Sequence, residues 1–335
     1  MSRNVDRKPP HKRAEGATVR RQREIQREQD RRDGKKRAGS SGHERAVQAG
    51  ARPHPEKVVP AHQRKPGSEG DLALAPQFMA PSYRGSGKLE GLATIVTGGD
   101  SGIGRAVAVL FAREGADVTV AYLNEHDDAA ETRRCIEAEG RRCVLVAGDV
   151  RESSFGDEVV AATLEAFGRI DVLVNNAAFQ EHASSIEDLS DERLDETFRT
   201  NIFGYFHMVK AALPHLQRGA SIINTGSVTG LEGSPMLLDY SATKGAIHAF
   251  TKSLAQNLID KGIRVNAVAP GPVWTALNPA DAPAEKVAEF GQDTDMKRPA
   301  QPEELSPAYV FLASPVCSGY ISGIVLPVTG SVGAI

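Results

Sequence analysis

From Ala93 onward, short apolar runs recur along the chain, at Ala93–Thr97, Val118–Tyr122, Val144–Ala147, Val172–Asn175, Ser221–Asn224, Arg264–Ala269 and Ile324–Val328. They lack polar alternation, so both faces of each strand are expected to be buried, as in a parallel sheet covered by helices. Helical periodicity fills the gaps, over Ile103–Glu114, Asp127–Glu139, Phe155–Phe167, Asp191–Leu216, Tyr240–Lys261 and Pro302–Ala313. In the first of these, Val107, Leu110 and Phe111 lie three to four apart and form one stripe. Repeated strand–helix units with right-handed crossovers predict an α/β fold, a doubly wound seven-stranded parallel sheet. Residues 91–335 suit one such domain. Its ligand is expected at the carboxyl ends of the strands.

The first 70 residues differ in character. They carry 19 Lys and Arg against 9 Asp and Glu, whereas the whole chain has a net charge of −3. They contain no Phe, Tyr or Trp, too little apolar surface to offset the ~1–2 kcal/mol per residue that ordering a backbone costs. A solvated, disordered basic tail is expected over 1–70, with a transient charged helix over Arg20 to Arg32 and an extended linker around Pro53, Pro55, Pro60 and Pro66. Residues 71–90 read as a lead-in, with Phe78 and Tyr83 docking on the domain. The basic start leads into no apolar core, and nine acids do not suit a mitochondrial presequence. Three cysteines without a CxxC pair suit a reducing compartment, and a cytoplasmic location is expected. No apolar run reaches the ~18 residues of a membrane span. Nucleic acid or anionic lipid would be contacted through the tail alone.

Chemistry-bearing residues cluster just after the strands. Thr97-Gly98-Gly99-Asp100-Ser101-Gly102-Ile103-Gly104 links the first strand to a helix. Glycines there permit a tight turn, and the helix amino end offers unpaired N–H groups to a diphosphate. Tyr240 and Lys244 lie four apart near a helix start and project from one face. Ser227 follows the fifth strand. Singly, these read as a turn, a helical pair and a cap; their shared order and spacing carry the inference.

That order continues in Asp149-Val150 after the third strand, Asn175-Asn176-Ala177-Ala178 after the fourth, Asn201 in the long helix and Pro270-Gly271-Pro272-Val273-Trp274-Thr275 after the sixth. With TGxxxGIG and YxxxK, the pattern from about Leu89 to Gly330 resembles the short-chain dehydrogenase/reductase family. Its nearest likeness is to bacterial oxidoreductases with an N-terminal extension, related to glucose dehydrogenases. The resemblance implies a Rossmann fold and an NAD(P)-dependent oxidoreductase interconverting an alcohol and a carbonyl. It assigns cofactor binding to Thr97, Gly98, Asp100, Ser101, Gly102, Ile103, Gly104, Asp149, Val150, Asn176, Ala177, Pro270, Gly271, Val273 and Thr275, and to Tyr240 and Lys244, which are also catalytic. Ser227 would orient the substrate oxygen, Tyr240 would act as acid/base, and Asn201 would hold a water linking Lys244 to solvent. A homo-oligomer, tetramer or dimer, is also implied, with Ala246, Phe250 and Leu254 along one candidate stripe. The family's usual Gly is Ala178 here, and the usual ending of the last strand is replaced by Leu326-Pro327-Val328-Thr329-Gly330-Ser331. Pro327 cannot donate to a ladder and favours an edge.

A free phenol, with pKa ≈ 10, is a poor base at neutral pH. An ammonium about 4 Å away contributes on the order of 4 kcal/mol at an effective dielectric of 20, so Lys244 is expected to lower the Tyr240 pKa. Tyr122 ends the second strand, where an acid would select NAD and an arginine NADP; neither rule applies, and the choice stays open. Substrate selection is expected from Gln180 and His182, from an apolar wall of Trp274 and Phe290, and from a lid over Trp274–Pro299, for a sugar or small aliphatic alcohol. The nine His show no HExxH or C/H ligand spacing, so no metal is expected. His182 and His248 read as surface or packing residues. A reading of another class is a dinucleotide-binding regulator with a nucleic-acid- or membrane-contacting tail.

Overall fold

The computed structural model describes residues 46–332. Seven strands, β1 (Ala93–Thr97), β2 (Asp117–Tyr122), β3 (Cys143–Ala147), β4 (Ile170–Asn175), β5 (Leu216–Thr225), β6 (Arg264–Pro270) and β7 (Val325–Val328), form one parallel sheet in the order β3-β2-β1-β4-β5-β6-β7. Strand order reverses beside β1, so a crevice opens between the carboxyl ends of β1 and β4.

Helices cover both faces. α1 (Gly102–Arg113), α2 (His126–Ala138) and α10 (Pro302–Ala313) pack on one, burying Val107, Phe111, Leu305 and Tyr309. α3 (Ser153–Phe167), α5 (Gly204–Ala212) and α7 (Leu238–Leu258) pack on the other, burying Phe155, Val159, Met208 and Leu258. The short helices are α4 (Asp191–Phe198), α6 (Thr229–Glu232), α8 (Leu277–Asp281), α9 (Ala284–Ala288) and α11 (Pro315–Ser318).

The single long helix expected over Asp191–Leu216 is interrupted. A π-helical turn, Arg199–Phe203, separates α4 from α5, and a 3₁₀ turn at Leu213–His215, which contains Pro214, ends α5. The wider turn carries Asn201, fully buried, whose amide donates to Phe179 O (2.9 Å) and Thr243 Oγ1 (3.0 Å) while its oxygen accepts from Phe179 N (2.7 Å).

β7 is an edge strand, as Pro327 requires. The carbonyls of Ile324 and Val328 accept from Ala267 N and Gly271 N of the β6 side. Residues 325 and 327 therefore turn their backbone outward, and proline removes an outward donor without breaking a ladder bond.

The expected disordered tail does not extend to residue 70. Residues 1–45, including the helix expected over Arg20 to Arg32, lie outside the described residues, but 46–92 form an arm laid along the domain without regular structure of its own. The arm has too few apolar residues for a core, so it borrows one: Val58 and Leu72 bury against Trp274, Ala276 and Val287. Several of its polar groups are paired with the domain. Glu69 accepts from Gly102 N (2.6 Å) and pairs with Arg105 (2.5 Å), while Glu69 N and Gly70 N donate to the Asp128 carboxylate at 2.9 and 3.2 Å. Phe78 lies 4.9 Å from the Arg105 guanidinium, and the Tyr83 hydroxyl donates to Glu114, as docking of the lead-in requires.

Replacing Glu69 by Ala leaves a buried guanidinium short of one carboxylate and Gly102 N–H unpaired. A loss of about 3 kcal/mol is expected, measured as a lower urea midpoint with unchanged slope.

Candidate active site

The strand ends enclose a cleft of about 430 Å³. The turn after β1 is compact because Gly98 and Gly102 adopt left-handed backbones, φ +60° and +51°. A Cβ at Gly104 would fall on the Gly98 carbonyl, and one at Gly102 would press on the Thr275 side chain. Thr97 Oγ1 accepts from Asn176 N (2.9 Å) and Ala177 N (3.1 Å), and Asn176 Nδ2 donates to Gly98 O (3.1 Å). The ends of β1 and β4 are thus stitched together beneath the crevice. Among the described residues, no partner takes the N–H groups of Ile103 and Gly104, and the first turn of α1 has no acid. A close-packed glycine turn with free N–H groups fits a dinucleotide's diphosphate.

Asp100 sits in this turn, accepting from Ser101 Oγ (2.9 Å). Burial first, then the Glu125 carboxylate, raise its pKa to about 7. Asp149, below the end of β3, is held low despite burial because Arg151 donates to it, and Arg151 also pairs with Glu196. At the end of β2, the Tyr122 hydroxyl lies 3.0 Å from His126 Nδ1.

Across the cleft, α7 presents Tyr240 and Lys244 from successive turns. Lys244 is fully buried; its Nζ donates to Thr225 O (2.8 Å) and lies 5.3 Å from the Tyr240 ring centroid. Ser227 lines the cleft beside Tyr240, and its hydroxyl oxygen accepts from Thr229 N (3.1 Å) and Thr229 Oγ1 (3.0 Å). The expectation that Lys244 makes the phenol acidic is not met. Burial raises the Tyr240 pKa well above its ordinary value, with Asp281 adding to this and Ser227 opposing it, and burial lowers Lys244 to about 7. Two groups removed from water each favour their neutral forms, and here desolvation outweighs attraction.

His248, one turn beyond Lys244, is buried and packs against the loop after β5, as expected of a packing residue. The Ser227 backbone N–H faces its Nε2 at 3.4 Å, and Gly226 and Gly230 leave no room for a Cβ against its ring. Burial, then Lys244, lower its pKa to about 4, so it is neutral at pH 7.

Of the residues singled out from sequence, Gly98, Asp100, Ser101, Gly102, Ile103, Asp149, Val150, Asn176, Ala177, Ser227, Tyr240, Lys244, Pro270, Gly271, Val273 and Thr275 line the cleft. Thr97, Gly104 and Asn201 stand behind it, supporting the wall. Phe290 reaches the cleft and Trp274 does not: Trp274 is 1% exposed beneath the arm, with Nε1 donating to Leu74 O (2.8 Å). The arm displaces it from the wall and supplies Pro66 and Gly67 instead. Sequence reasoning missed both, and the turn dipeptide Pro66-Gly67 was the one available signal. It also missed Arg151 and Asn278. Among the described residues, one cluster has metal-ligand character, Glu181, His182 and Asp281.

The Asp100 carboxyl keeps its proton between its unfolded pKa, 3.8, and about 7. The folded state binds more protons than the unfolded one across that window, so this group's contribution to stability declines as pH rises from 4 to 7. Urea denaturation of Asp100→Asn against the unsubstituted protein should show the variant gaining relative stability over that range.

Comparison with known proteins agrees with this geometry. A family profile described as enoyl-(acyl carrier protein) reductase matches residues 98–331. The uncharacterized oxidoreductase YhdF of Bacillus subtilis is 56% identical over 276 residues, covering 82% of this chain and 95% of that protein. The glucose and ribitol dehydrogenase of Daucus carota is 48% identical over 275 residues, covering 80% and 94%. A short-chain dehydrogenase of Burkholderia cenocepacia, solved in complex with NADP, superposes with a TM-score of 0.68 at 32% identity, covering 73% and 98%. A glycine turn opening onto a buried Ser–Tyr–Lys set is thus found in a chain that belongs to the short-chain dehydrogenase/reductase family of NAD(P)-dependent oxidoreductases.

Proposed function

We propose that Tyr240 exchanges the proton while an alcohol and a carbonyl are interconverted, with Ser227 orienting the substrate oxygen. The observation that carries this reading is that Ser227, Tyr240 and the buried Lys244 line the same cleft as the glycine turn, with Lys244 Nζ 5.3 Å from the Tyr240 ring centroid. A bound nicotinamide dinucleotide supplies or accepts the hydride. Ile103 would hold its diphosphate, with Gly104 packed behind it against Gly98. Asp149 and Val150 would hold its adenine end, Asn176 and Ala177 the middle of the crevice, and Pro270, Gly271, Val273 and Thr275 the nicotinamide side.

A phenol whose pKa is raised by burial carries its proton at neutral pH, which is the state an acid needs to protonate a carbonyl oxygen as negative charge develops there. Lys244 donates to the Thr225 carbonyl and lies beside the phenol, where its ammonium form would stabilise the phenolate once the proton has moved. Asn201, tied to Phe179 and Thr243, fixes the inner end of the cleft and would order a water toward Lys244. His248 supports the backbone under Ser227. A small sugar or alcohol suits the polar side of the pocket around Gln180, and the carrot relative's name agrees with this. The regulator reading gains no support from relatives that are oxidoreductases.

We further propose a homo-oligomer, a tetramer or dimer, in the cytoplasm. Phe203 and Phe206 of the α4–α5 segment are 53% and 43% exposed, and Phe206 stacks on Phe250 at 4.1 Å beside Ala246 and Leu254. Such a face favours a second copy. No helix of the described residues is long and apolar enough to cross a membrane, and the free thiols of Cys135, Cys143 and Cys317 suit a reducing compartment.

Alcohols, sugars and carbonyls screened with NAD(H) and NADP(H) at the reduced-nicotinamide absorbance should reveal turnover. Tyr240→Phe should lower it by about 10²–10⁴-fold while cofactor binding stays within about twofold; unchanged turnover overturns the assignment. Phe206→Glu should shift the particle to a smaller assembly in sedimentation velocity, and an unaltered coefficient would show that this face is not the contact.

A further inference from the structure

The arm does more than cover apolar surface. It is fixed at one end beneath the glycine turn, through Glu69 on Gly102 and Arg105. It then crosses the cleft at Pro66 and Gly67, which line it. Gly67, at φ +95°, lies so close to Ala276 O and the Ala280 side chain that a Cβ has no place there, and Gln63 N donates to Pro279 O (2.8 Å). The arm therefore seats directly on α8, the first helix of the lid.

Between these contacts stands Lys65. Its ammonium donates to Gln180 O (2.6 Å) and Ala280 O (3.0 Å), pairs with Glu181 Oε2 (3.0 Å), and lies 5.1 Å from the Phe179 ring centroid. One cation thus ties together the loop after β4 and the end of α8, which share no backbone ladder. The adjacent lid residue, Asp281, completes the joint: it accepts from Gln180 Nε2 (2.5 Å), His182 N (2.6 Å) and His182 Nδ1 (3.0 Å). With its NH₂ group held by Asp281, the Gln180 amide has a settled orientation. Its oxygen has no protein partner among the described residues, and the residue lines the cleft. An amide oxygen can only accept, so it selects a ligand with a hydroxyl donor. The same cluster has metal-ligand character, but the Lys65 ammonium already supplies the cation that Glu181 calls for.

We propose that Lys65 is a positioning residue for substrate selection: from the arm, it holds the Phe179–Glu181 loop and the lid so that Gln180 presents its amide oxygen to a hydroxyl group of a polyhydroxylated substrate. This rests on the reading of the cleft as an alcohol/carbonyl site. The arm is then a wall of the pocket, and substrate preference depends on a segment that precedes the sheet.

The test compares Lys65→Met with Lys65→Arg, which keeps the charge. For a hydroxylated substrate, Lys65→Met should raise KM about tenfold, as expected for losing one well-placed charged tether. KM for an analogue without the second hydroxyl, and the cofactor Kd from reduced-nicotinamide fluorescence, should change less than twofold. Lys65→Arg should recover most of the loss. Unchanged KM, or a parallel rise in both KM values and the cofactor Kd, overturns the proposal. Lid anchorage is read separately by tryptic cleavage after Lys286, exposed on α9, which Lys65→Met should accelerate several-fold. That rate needs no turnover: if the unsubstituted protein turns over nothing in the panel, the alcohol/carbonyl reading fails, whereas an unchanged cleavage rate refutes the role of Lys65.

Discussion

The guanidinium of Arg105 joins the glycine turn, α2 and the arm at one point. It donates to Asp100 O (2.9 Å), Thr132 Oγ1 (2.9 Å) and Asp128 O (3.0 Å), and its charge is met by Glu69 and Asp128. Burying an arginine costs several kcal/mol unless its donors are satisfied, so the arrangement exists only when the glycine turn, α2 and the arm are all present. A surface ion pair would tolerate movement of any partner; this one does not. The shape of the turn that faces the crevice is therefore inseparable from a segment more than thirty residues upstream.

At the other end of the cleft the governing quantity is hydration. Tyr240 and Lys244 are withdrawn from water together, and each is pushed toward its uncharged form. Proximity alone suggests the opposite for the phenol, because it counts the attraction of the ammonium and leaves out the solvent both groups have lost. Ser227, Thr225 and His248 then decide where the remaining hydrogen bonds fall, and the loop between Gly226 and Gly230 is moulded against an imidazole by the absence of two side chains. The surroundings of Tyr240 and Lys244 are thus set by backbone as much as by side chains.

Periodicity made most of this legible. The first strand and α10 coincide with the apolar runs that marked them, because central parallel strands must be apolar throughout and covering helices must carry a stripe. Many residues that line the cleft were legible too, since they follow strand ends, where the topology opens a crevice. Three kinds of feature were not. A π turn leaves no periodic trace, as it adds a single residue to a pattern that is otherwise helical, so the break before Asn201 was hidden. The arm's order comes from surface it borrows, and composition counts only what a segment carries itself; Val58 and Leu72 look sparse until Trp274 is placed beneath them. The removal of Trp274 from the pocket wall follows from the same omission.

The outward-facing proline of β7 bears on how copies of this chain can meet. A strand approaching that margin would find an acceptor but no donor at residue 327, and a two-way exchange of amide bonds could not form there. Growth of the sheet into a continuous ribbon across two molecules is disfavoured at this border, and whatever adheres to it must do so by side-chain burial.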